Sequence, residues 1–496
     1  MTAATEYELT ASVGALQDRV TAHIDAGGRL ADLFGTARDD GGLLITAQLA
    51  GRDGITTLDA VVPAGQASYP SLTPLVSSAF WYEREIHDMF GVVPDGHPRL
   101  EPLFLPASGP ARPLPGRDGG PARIDPDPRA LPRHTVGPGL FTIPHGPVRS
   151  GVTESIEYLV ETPGEDIPHL NMRLFYKHRG IEKRFEGLPP PDGVLLAERA
   201  EGIASVAHAI AFCQAVELIA GTQVPWQAAL TRTLHAELER LACHLDVIVR
   251  LCDGAGLAVA TARFGWHKER VLRLTGQLSG SRFGRGVVIP GGVTAPPQLD
   301  PTAILAAAGD LERKISADIR LLMGTASFLD RLRRTGPLLP ARAAQHGALG
   351  PIGRASGRVE DVRQSRPYAA YGSLGTTVSS RDDGDALARL EVRVDEIASS
   401  FHLIRQAADE LDEAGPGLLR ADCPATDGRA TSWAEAPQGE VVYDVRMVSG
   451  VITRCRSRSA SFHNLVLMHE VFAGDILTDF PFIEASFGLS VAGAAG

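Results

Sequence analysis

The sequence is poor in cysteine and in long apolar runs, and each shortage excludes a class of protein. Its 496 residues include five cysteines, and no two of them form a C-x-x-C pair. This spacing argues against a disulfide framework, a zinc ribbon and an iron–sulfur ferredoxin motif. The best helical apolar stretch, residues 202–216, ends when Glu217 interrupts it, whereas a membrane-spanning helix needs about 20 residues. We therefore expect no transmembrane segment.

Positive charge is also in short supply. The 48 lysine and arginine residues are outnumbered by 59 aspartate and glutamate residues, which gives a net charge of −11. This acidic balance disfavours nucleic acid as the main partner. The N-terminus contains no basic patch followed by an apolar stretch, so it does not predict a secretory signal, and we expect a cytoplasmic location.

Nucleotide-binding motifs are missing as well. The glycine-rich segment SRFGRGVVIPGGV at residues 281–293 does not match the strand–turn–helix fingerprint of dinucleotide-binding proteins. No Walker A loop occurs anywhere in the sequence. We therefore expect that the chain binds no nucleotide.

Proline and glycine divide the chain into two parts. Residues 106–147 contain 11 prolines and 7 glycines, a density that predicts a linker or an extended surface arm over residues 106–145. Before it, the patterns predict a helix over residues 15–26, strands over 42–49 and 56–62, and a helix over 80–90 that Gly91 ends. Residues 1–105 are thus predicted to form a small α/β domain.

Helical patterns dominate after the linker. Leucine and isoleucine recur at steps of three and four over residues 230–248, and similar stripes cover 311–322 and 387–411, which suggests a helical bundle core. Residues 441–445 and 451–455 are strand candidates for a hairpin. The sequence therefore predicts an α+β multidomain protein with a mainly helical domain over residues 146–496 and a small β region near its C-terminus.

Two segments concentrate groups that could carry chemistry. His235, Glu239 and Cys243 fall on one face of the 230–248 helix, where metal ligation is conceivable. We favour the alternative, in which the charges pair with neighbours and the leucines pack, because a closed site needs ligands from elsewhere. We predict no metal site here. Residues 354–371 contain several charged side chains close to glycines and tyrosines. These charges could have a functional role, or they could form an internal salt-bridge network.

Motifs of a known family occur in order along the chain. Residues 81–106, WYEREIHDMFGVVPDGHPRLEPLFLP, resemble the signature of the smaller subunit of NADH:quinone oxidoreductase (complex I) that is fused in front of the large subunit in one hydrogenase type. Later segments resemble the large subunit of energy-converting, membrane-bound nickel–iron hydrogenases of the formate hydrogenlyase type. They also resemble the related subunit of complex I. They are GPVRSGVTE (146–154), YKHRGIEK (176–183), ELERLACHL (237–245), SRFGRGVVIPGGV (281–293), GRASGRVEDVR (353–363) and GDALARLEVRVDEIASS (384–400).

The sequence departs from this family at the residues that would bind metal or quinone. The resemblance implies two C-x-x-C pairs that hold nickel and iron, but the first would fall at Glu201 and Ala204, and no cysteine follows residue 479. Thiolates are the soft ligands that this nickel chemistry uses, so we predict that the chain binds no metal or other cofactor. The quinone-facing tyrosine of complex I aligns near Ala200, and its loop histidine aligns at or near Arg149.

The resemblance also implies partners and a site. The partners are an iron–sulfur small subunit and the antiporter-like and anchor proteins of a membrane arm, which would hold the chain at the inner face of the cell membrane. The implied residues near the pocket or the partner's cluster are His178, Arg179, Glu201, Asp361 and Arg363. A guanidinium group beside a cluster favours its reduced state, and a buried Glu201 could pass protons. Structural ion pairs are the alternative for each residue.

Two functional hypotheses follow from these implications. In the first, the chain is an oxidoreductase subunit that takes part in electron transfer with the iron–sulfur partner, either of the hydrogenase type or of the NADH:quinone oxidoreductase type. In the second, it is a non-catalytic scaffold whose cavity rearranges when a neighbouring cluster is reduced, so that redox change is linked to ion pumping. The missing cysteines argue against hydrogen chemistry in either case.

Overall fold

The computed structural model describes residues 6–10, 12–51, 54–105, 139–149, 154–472 and 474–496. Most of the predicted linker, residues 106–138, lies outside these ranges, as do residues 150–153 of the GPVRSGVTE motif. The last five residues of the predicted linker, Phe141–His145, form a strand that pairs with the next strand along the chain.

The N-terminal lobe is a four-stranded sheet covered by helices. Its strand order is β1-β4-β3-β2, with β1 parallel to β4 and the other pairs antiparallel. The predicted helices and strands of this lobe are confirmed, and Gly91 ends α2 in the left-handed conformation (φ 72°). The elements are β1 (Glu6–Leu9), α1 (Val13–Asp25), β2 (Arg29–Ala37), β3 (Leu43–Ala50), β4 (Ile55–Val62), β5 (Ser68–Pro70), α2 (Phe80–Phe90) and β6 (Val93–Asp95).

A three-stranded antiparallel sheet and a pair of short helices follow. The sheet has the order β7-β8-β9. The helix α5 that comes next carries the apolar stretch noted in the sequence, and it packs against the C-terminal sheet. The elements are β7 (Phe141–His145), β8 (Glu157–Thr162), β9 (His169–Arg173), α3 (Ile181–Phe185), α4 (Pro190–Ala197) and α5 (Ser205–Ala220).

Long helices form the core of the second lobe. The stripe of leucines on α6 is buried against α7 and α13, which also pack against α8. The predictions of helices over 230–248, 311–322 and 387–411 are therefore confirmed. Nowhere in the described ranges does a helix combine the length and the apolar character that crossing a bilayer requires. The elements are α6 (Trp226–Gly254), α7 (Ala258–Ser279), β10 (Val288–Ile289), β11 (Gly292–Val293), α8 (Pro301–Met323), α9 (Ala326–Leu332), α10 (Pro340–His346), α11 (Gly350–Arg354), α12 (Val362–Ser365) and α13 (Ala386–Ala414).

The chain ends in a β-meander and three short helices. The predicted hairpin is confirmed, although its strands extend to a two-residue turn and a further strand, β12, joins its edge. This sheet packs on α5 and contacts the N-terminal lobe, where Gln48 donates a 3.0 Å hydrogen bond to Thr431. The elements are β12 (Gly428–Ala436), β13 (Gly439–Val448), β14 (Val451–Arg458), α14 (Ala460–Leu465), α15 (Phe480–Phe487) and α16 (Val491–Ala495).

Candidate functional site

Glu201 lies at the centre of a buried hydrogen-bonded chain. It occupies the turn between α4 and α5 and has no exposed surface. One carboxylate oxygen accepts a 2.6 Å hydrogen bond from the hydroxyl group of Ser461, and the other lies 3.2 Å from Nε2 of His208. Nδ1 of His208 lies 2.8 Å from the hydroxyl oxygen of Tyr443 on β13. We call Glu201, His208 and Tyr443 the Glu–His–Tyr chain.

The C-terminal helix α16 closes over Glu201. The backbone N–H of Ser490, just before α16, donates a 3.0 Å hydrogen bond to the Ser461 hydroxyl group. A Cβ atom added at Gly493 would lie 2.6–2.9 Å from the carboxyl atoms of Glu201. Because real Cβ contacts are not this short, a side chain at position 493 would have to displace the carboxyl group of Glu201 or the helix α16.

His178 and Arg179 fasten this helix to the Glu201 turn. Nδ1 of His178 lies 2.6 Å from the carbonyl oxygen of Ala495. The guanidinium group of Arg179 donates hydrogen bonds to the carbonyl oxygens of Ala200 and Ala492, at 2.5 and 2.9 Å. Burial lowers the pKa of Arg179, while the charges of Glu154 and Glu201 act in the opposite direction. The structure therefore brings together three of the five predicted site residues: His178, Arg179 and Glu201.

A cavity of about 280 Å³ opens beside His178 and Arg179, between the two lobes. We call it the interlobe cavity. In its wall, Arg456 donates hydrogen bonds to Glu85 of the N-terminal lobe, at 2.5 Å, and to Glu182, at 3.0 Å. Burial raises the pKa of Glu85 to about 7 although the charge of Arg456 lowers it. Burial also opposes ionisation of Glu182, but Arg454 and Arg456 outweigh it and lower the pKa of that carboxyl group.

Asp361 and Arg363, the other two predicted site residues, belong to a different cluster. Arg363 donates to both carboxylate oxygens of Asp361, at 3.0 and 2.7 Å, and to Glu237 of α6, at 3.1 Å. Neither is among the described residues that line the interlobe cavity. Burial would raise the pKa of Asp361, but Arg363 and Arg354 hold it at about 2. The cluster, which we call the α6 ion network, comprises Glu237, Arg240, Arg354, Asp361, Arg363, Glu396 and Glu435.

A second cavity, of about 100 Å³, lies beside α6 and is lined by His235, Glu239 and Cys243. We call it the α6 cavity. The carboxylate of Glu239 accepts hydrogen bonds from the N–H groups of Val206 and Ala207, in the first turn of α5, at 2.7 and 3.1 Å. Throughout the part of the chain that the structure describes, no three His, Cys, Asp or Glu side chains are grouped so that they could hold a metal ion.

Comparison with known proteins identifies the two halves of the chain. The protein-family model for the 30 kDa subunit of respiratory-chain NADH dehydrogenase matches residues 26–119. The family model for the 49 kDa subunit of the same enzyme matches residues 258–422. An NADH-quinone oxidoreductase subunit from Streptomyces coelicolor is 30% identical over 332 residues, which cover 65% of this chain and 86% of that protein. The chain belongs to the family of the 49 kDa subunit of respiratory-chain NADH dehydrogenase.

Other relatives resemble more of the chain. Formate hydrogenlyase subunit 5 of Escherichia coli K12 is 29% identical over 445 residues, or 87% of this chain and 77% of that protein. A chain of the membrane-bound sulfane sulfur reductase, an archaeal respiratory membrane complex, superposes with a TM-score of 0.68 and 25% identity. It covers 73% of this chain and the whole of that one. The resemblance to the formate hydrogenlyase type and to a fused pair of complex I subunits is confirmed.

The residues around Glu201 do not supply the thiolates of the nickel–iron centre that the sequence resemblance implies. Such a centre requires several thiolates at one place. The five cysteines are instead scattered over α5, α6, the segment before β12, and β14. Where the first C-x-x-C pair would fall, the carboxylate of Glu201 is already satisfied by Ser461 and His208.

Sequence reasoning missed three residues of the Glu–His–Tyr chain and its surroundings. His208 is a single polar residue inside the apolar helix α5, which is a weak signal for a buried, hydrogen-bonded side chain. Tyr443 stands in the middle of the buried strand β13. Ser461 lies near the start of α14, and nothing around it in the sequence predicts a contact with Glu201. Only the fold shows that these side chains converge on Glu201.

Proposed function

We propose that this chain is the hydrogenase-like large subunit of a membrane-associated, complex I-related oxidoreductase of the formate hydrogenlyase type. Its family membership supports this proposal, as does the resemblance to formate hydrogenlyase subunit 5 and to a subunit of an archaeal respiratory membrane complex. The partners in this proposal are an iron–sulfur small subunit and the antiporter-like and anchor proteins of a membrane arm. The chain would then lie on the cytoplasmic side of the membrane.

In this proposal, the iron–sulfur partner docks at the surface around the interlobe cavity. His178, Arg179 and Arg184 supply cationic or polar groups at its edge. A fixed positive charge beside a cluster stabilises the reduced state, because reduction adds negative charge. In this proposal, electrons pass through the partner's cluster, and this chain supplies the charges and the buried carboxyl group that respond to them.

The observation that carries the proposed role is the complete burial of the Glu–His–Tyr chain. A buried carboxylate responds strongly to charge nearby, because the low-dielectric interior screens charge poorly. An electron arriving on a neighbouring cluster would therefore act on the buried carboxyl group of Glu201 through its charge. A shift of this carboxyl group would change its hydrogen bonds to His208 and Ser461, and through Ser461 it would affect the position of α16. This role couples redox change to ion pumping without hydrogen chemistry in this chain.

Replacement of Glu201 by glutamine in the purified complex tests this role. Glutamine keeps the shape of the side chain but cannot be protonated and deprotonated. We expect ion pumping to fall about tenfold or more while electron transfer is retained. The matched control is Glu413→Gln, which removes an exposed carboxylate at the end of α13. Unaltered pumping and electron transfer in the Glu201 variant would remove the main support for the coupling role.

Metal analysis of the same complex tests the prediction that this chain holds no nickel–iron centre. We expect iron from the partner's clusters and no stoichiometric nickel, because the soft donors are missing at Glu201 and Ala204. Stoichiometric nickel, or consumption of dihydrogen by the isolated chain, would contradict this expectation. It would leave the family membership and the partners untouched.

A further inference from the structure

A third cavity, of about 500 Å³, lies where the N-terminal lobe meets the part of the chain that follows the linker. We call it the Arg99 cavity. The N-terminal lobe contributes Arg99, from the segment after β6, and Phe80, the first residue of α2. The later part of the chain contributes His169, at the start of β9, and His469, at the end of the short helix Val466–His469. Both parts are therefore needed to form the walls of this cavity.

Arg99 is a partly buried cation whose hydrogen-bond donors are unused. Its guanidinium group makes no hydrogen bond to any residue that the structure describes, and its Nε atom is buried. The Nε atom lies 3.7 Å from Oε2 of Glu101, which is an ion pair but too long for a hydrogen bond. The ring of Phe80 supports the guanidinium group at 5.5 Å. Since the side chain is 20% exposed, its terminal N–H groups are available to a ligand.

Two imidazole groups in the same wall also have unused donors. Neither His169 nor His469 forms a side-chain hydrogen bond with another residue in the described ranges. Nε2 of His469 is buried, and a buried polar atom without a partner is costly unless water or a ligand satisfies it. Burial, and then the charge of Arg99, lowers the pKa of His469 well below its usual value. The neutral imidazole still has one N–H group to donate.

The charges of the wall favour an anion. Arg99 and Arg342 line the cavity together with a single carboxylate, that of Glu470, which lies 3.5 Å from Arg342. Behind Arg99, the side chains of Arg84 and Glu101 contribute one charge of each sign. These five groups leave an excess of one positive charge, in a chain whose net charge is −11. An anion in the cavity would be attracted by this local excess.

We propose that the Arg99 cavity binds the phosphate group of a phosphorylated small molecule. The planar guanidinium group of Arg99 matches two phosphate oxygens, and His169 and His469 offer N–H groups from the other side of the junction. A carboxylate has fewer oxygens, all in one plane, and suits donors from several directions less well. Phe80 and Leu467 supply apolar wall for the rest of the molecule. The volume falls within the range of ligand pockets, roughly 300–1,000 Å³.

Binding at this site would join the two parts of the chain, because its donors come from both. The inference goes beyond the proposed function and does not depend on it. It involves no electron transfer and no pumping, so its failure would leave the proposed function untouched.

Isothermal titration calorimetry of the full chain tests the site. At constant ionic strength, we expect phenyl phosphate to bind, and to bind more tightly than inorganic phosphate because its ring packs on the apolar wall. Arg99→Gln should weaken the binding of phenyl phosphate about tenfold or more. Arg313→Gln, which removes an exposed cation of α8, should leave it unchanged. No binding of phenyl phosphate, or equal binding by the unchanged protein and Arg99→Gln, would overturn the proposal.

A second pair of variants keeps the test valid if Arg99→Gln does not fold. Ser77 lines the same cavity and is partly exposed. Ser77→Glu adds a negative charge and leaves every cation in place, whereas Ser77→Gln adds similar bulk without the charge. Phenyl phosphate should bind Ser77→Glu about tenfold more weakly than Ser77→Gln. Equal affinities of these two folded variants would contradict recognition of the phosphate group by charge.

Vesicles distinguish a soluble phosphate from the headgroup of a lipid, which has the same chemistry. The probe is phosphatidylcholine vesicles that contain phosphatidic acid. We expect phenyl phosphate to bind without retention of the chain on these vesicles, which supports a soluble ligand. Retention that Arg99→Gln abolishes would support the same phosphate site with a lipid as its source. Retention that is the same in Arg99→Gln, without binding of phenyl phosphate, would overturn the proposal.

Discussion

Glu237 shows how much the α6 ion network depends on single residues. Its carboxylate has no exposed surface and contacts Arg240 and Arg363, at 3.3 and 3.1 Å. Glu237→Leu would leave two buried guanidinium groups without their acid, and we expect the free energy of unfolding to fall by about 3–5 kcal/mol. Urea unfolding measures this loss of free energy. The control Glu413→Gln should change it by less than about 0.5 kcal/mol; a similarly small loss for Glu237→Leu would mean that water screens the network.

The pH dependence of stability gives a second prediction for a single residue. Burial would raise the pKa of Glu360, but Arg29 outweighs it and lowers this pKa to about 2. A carboxyl group whose folded pKa lies below its unfolded value stabilises the protein above the unfolded pKa. This contribution is lost as the pH falls from about 4.5 to about 2. In urea unfolding, Glu360→Gln should therefore be less stable than the unchanged protein by about 1–3 kcal/mol at neutral pH.

This difference in stability should vanish below about pH 2, where the carboxyl group of Glu360 is neutral in both the folded and the unfolded state of the unchanged protein. A difference that stays constant from neutral to acid pH would indicate that Glu360 acts through packing. Arg29 belongs to the N-terminal lobe and lies 2.9 Å from Glu360 of the second lobe. The same measurements over pH therefore also report on the contact between the lobes.

Among the elements, those with a regular apolar stripe could be predicted and those without one could not. The leucine stripe of α6 and the short strands β3 and β4 were found because their periods are local properties of the sequence. The helix α7 was missed because its stripe of buried residues, Phe264, His267, Val271, Leu274 and Leu278, is interrupted by a histidine and flanked by charged residues. The strand β2 was missed because Asp32 interrupts it, and only the fold supplies the partner of Asp32, Arg456.

The candidate site likewise contains some residues that the sequence predicts and others that it does not. The motif matches led to Glu201, His178 and Arg179, which the structure brings together. Ser461 lies 260 positions from Glu201 in sequence, and no local pattern encodes a contact over such a separation. The site is assembled by the packing of α5, β13 and α16, so the fold had to be known before its hydrogen bonds could be.

The position of α16 can be tested with a pair of glycine variants. Gly493→Ala places a methyl group 2.6–2.9 Å from the carboxyl atoms of Glu201, and we expect a loss of about 1–3 kcal/mol in the free energy of unfolding. Gly309→Ala, in the interior of α8, meets no atom within 4 Å. This control should gain about 0.5–1 kcal/mol, because alanine loses less entropy in a helix. A stable Gly493→Ala would mean that α16 does not press on Glu201.

At the scale of the whole molecule, the two lobes are joined by charged contacts. Arg429 of the C-terminal sheet contacts Asp59 of the N-terminal sheet at 2.7 Å, and Arg456 contacts Asp32 at 2.9 Å. Buried ion pairs between lobes fix a geometry more than they add stability, because desolvation offsets much of their attraction. The two fused lobes are therefore held in a defined orientation that depends on the ionisation of a few acids.

Glu85, at the centre of this contact, should make the junction sensitive to pH near neutrality. Burial raises its pKa to about 7 although Arg456 lowers it. A carboxyl group whose folded pKa lies above its unfolded value stabilises the protein below the unfolded pKa, and this contribution is lost as the pH rises from about 4.5 to about 7. The pH dependence of this contribution is opposite to that of Glu360, because the charge of Arg456 does not outweigh the effect of burial on the pKa of Glu85.

The free energy of unfolding of the unchanged protein should therefore decrease between about pH 5 and about pH 8. In Glu85→Gln we expect this decrease to be smaller by about 1–3 kcal/mol. Glutamine stays neutral at both pH values, as Glu85 does only at the lower one. Urea unfolding at the two pH values measures the change, and Glu413→Gln, with its exposed carboxylate, should leave the decrease as it is. Equal decreases in the unchanged protein and Glu85→Gln would mean that Arg456 keeps Glu85 ionised throughout, so that protons do not loosen the contact between the lobes.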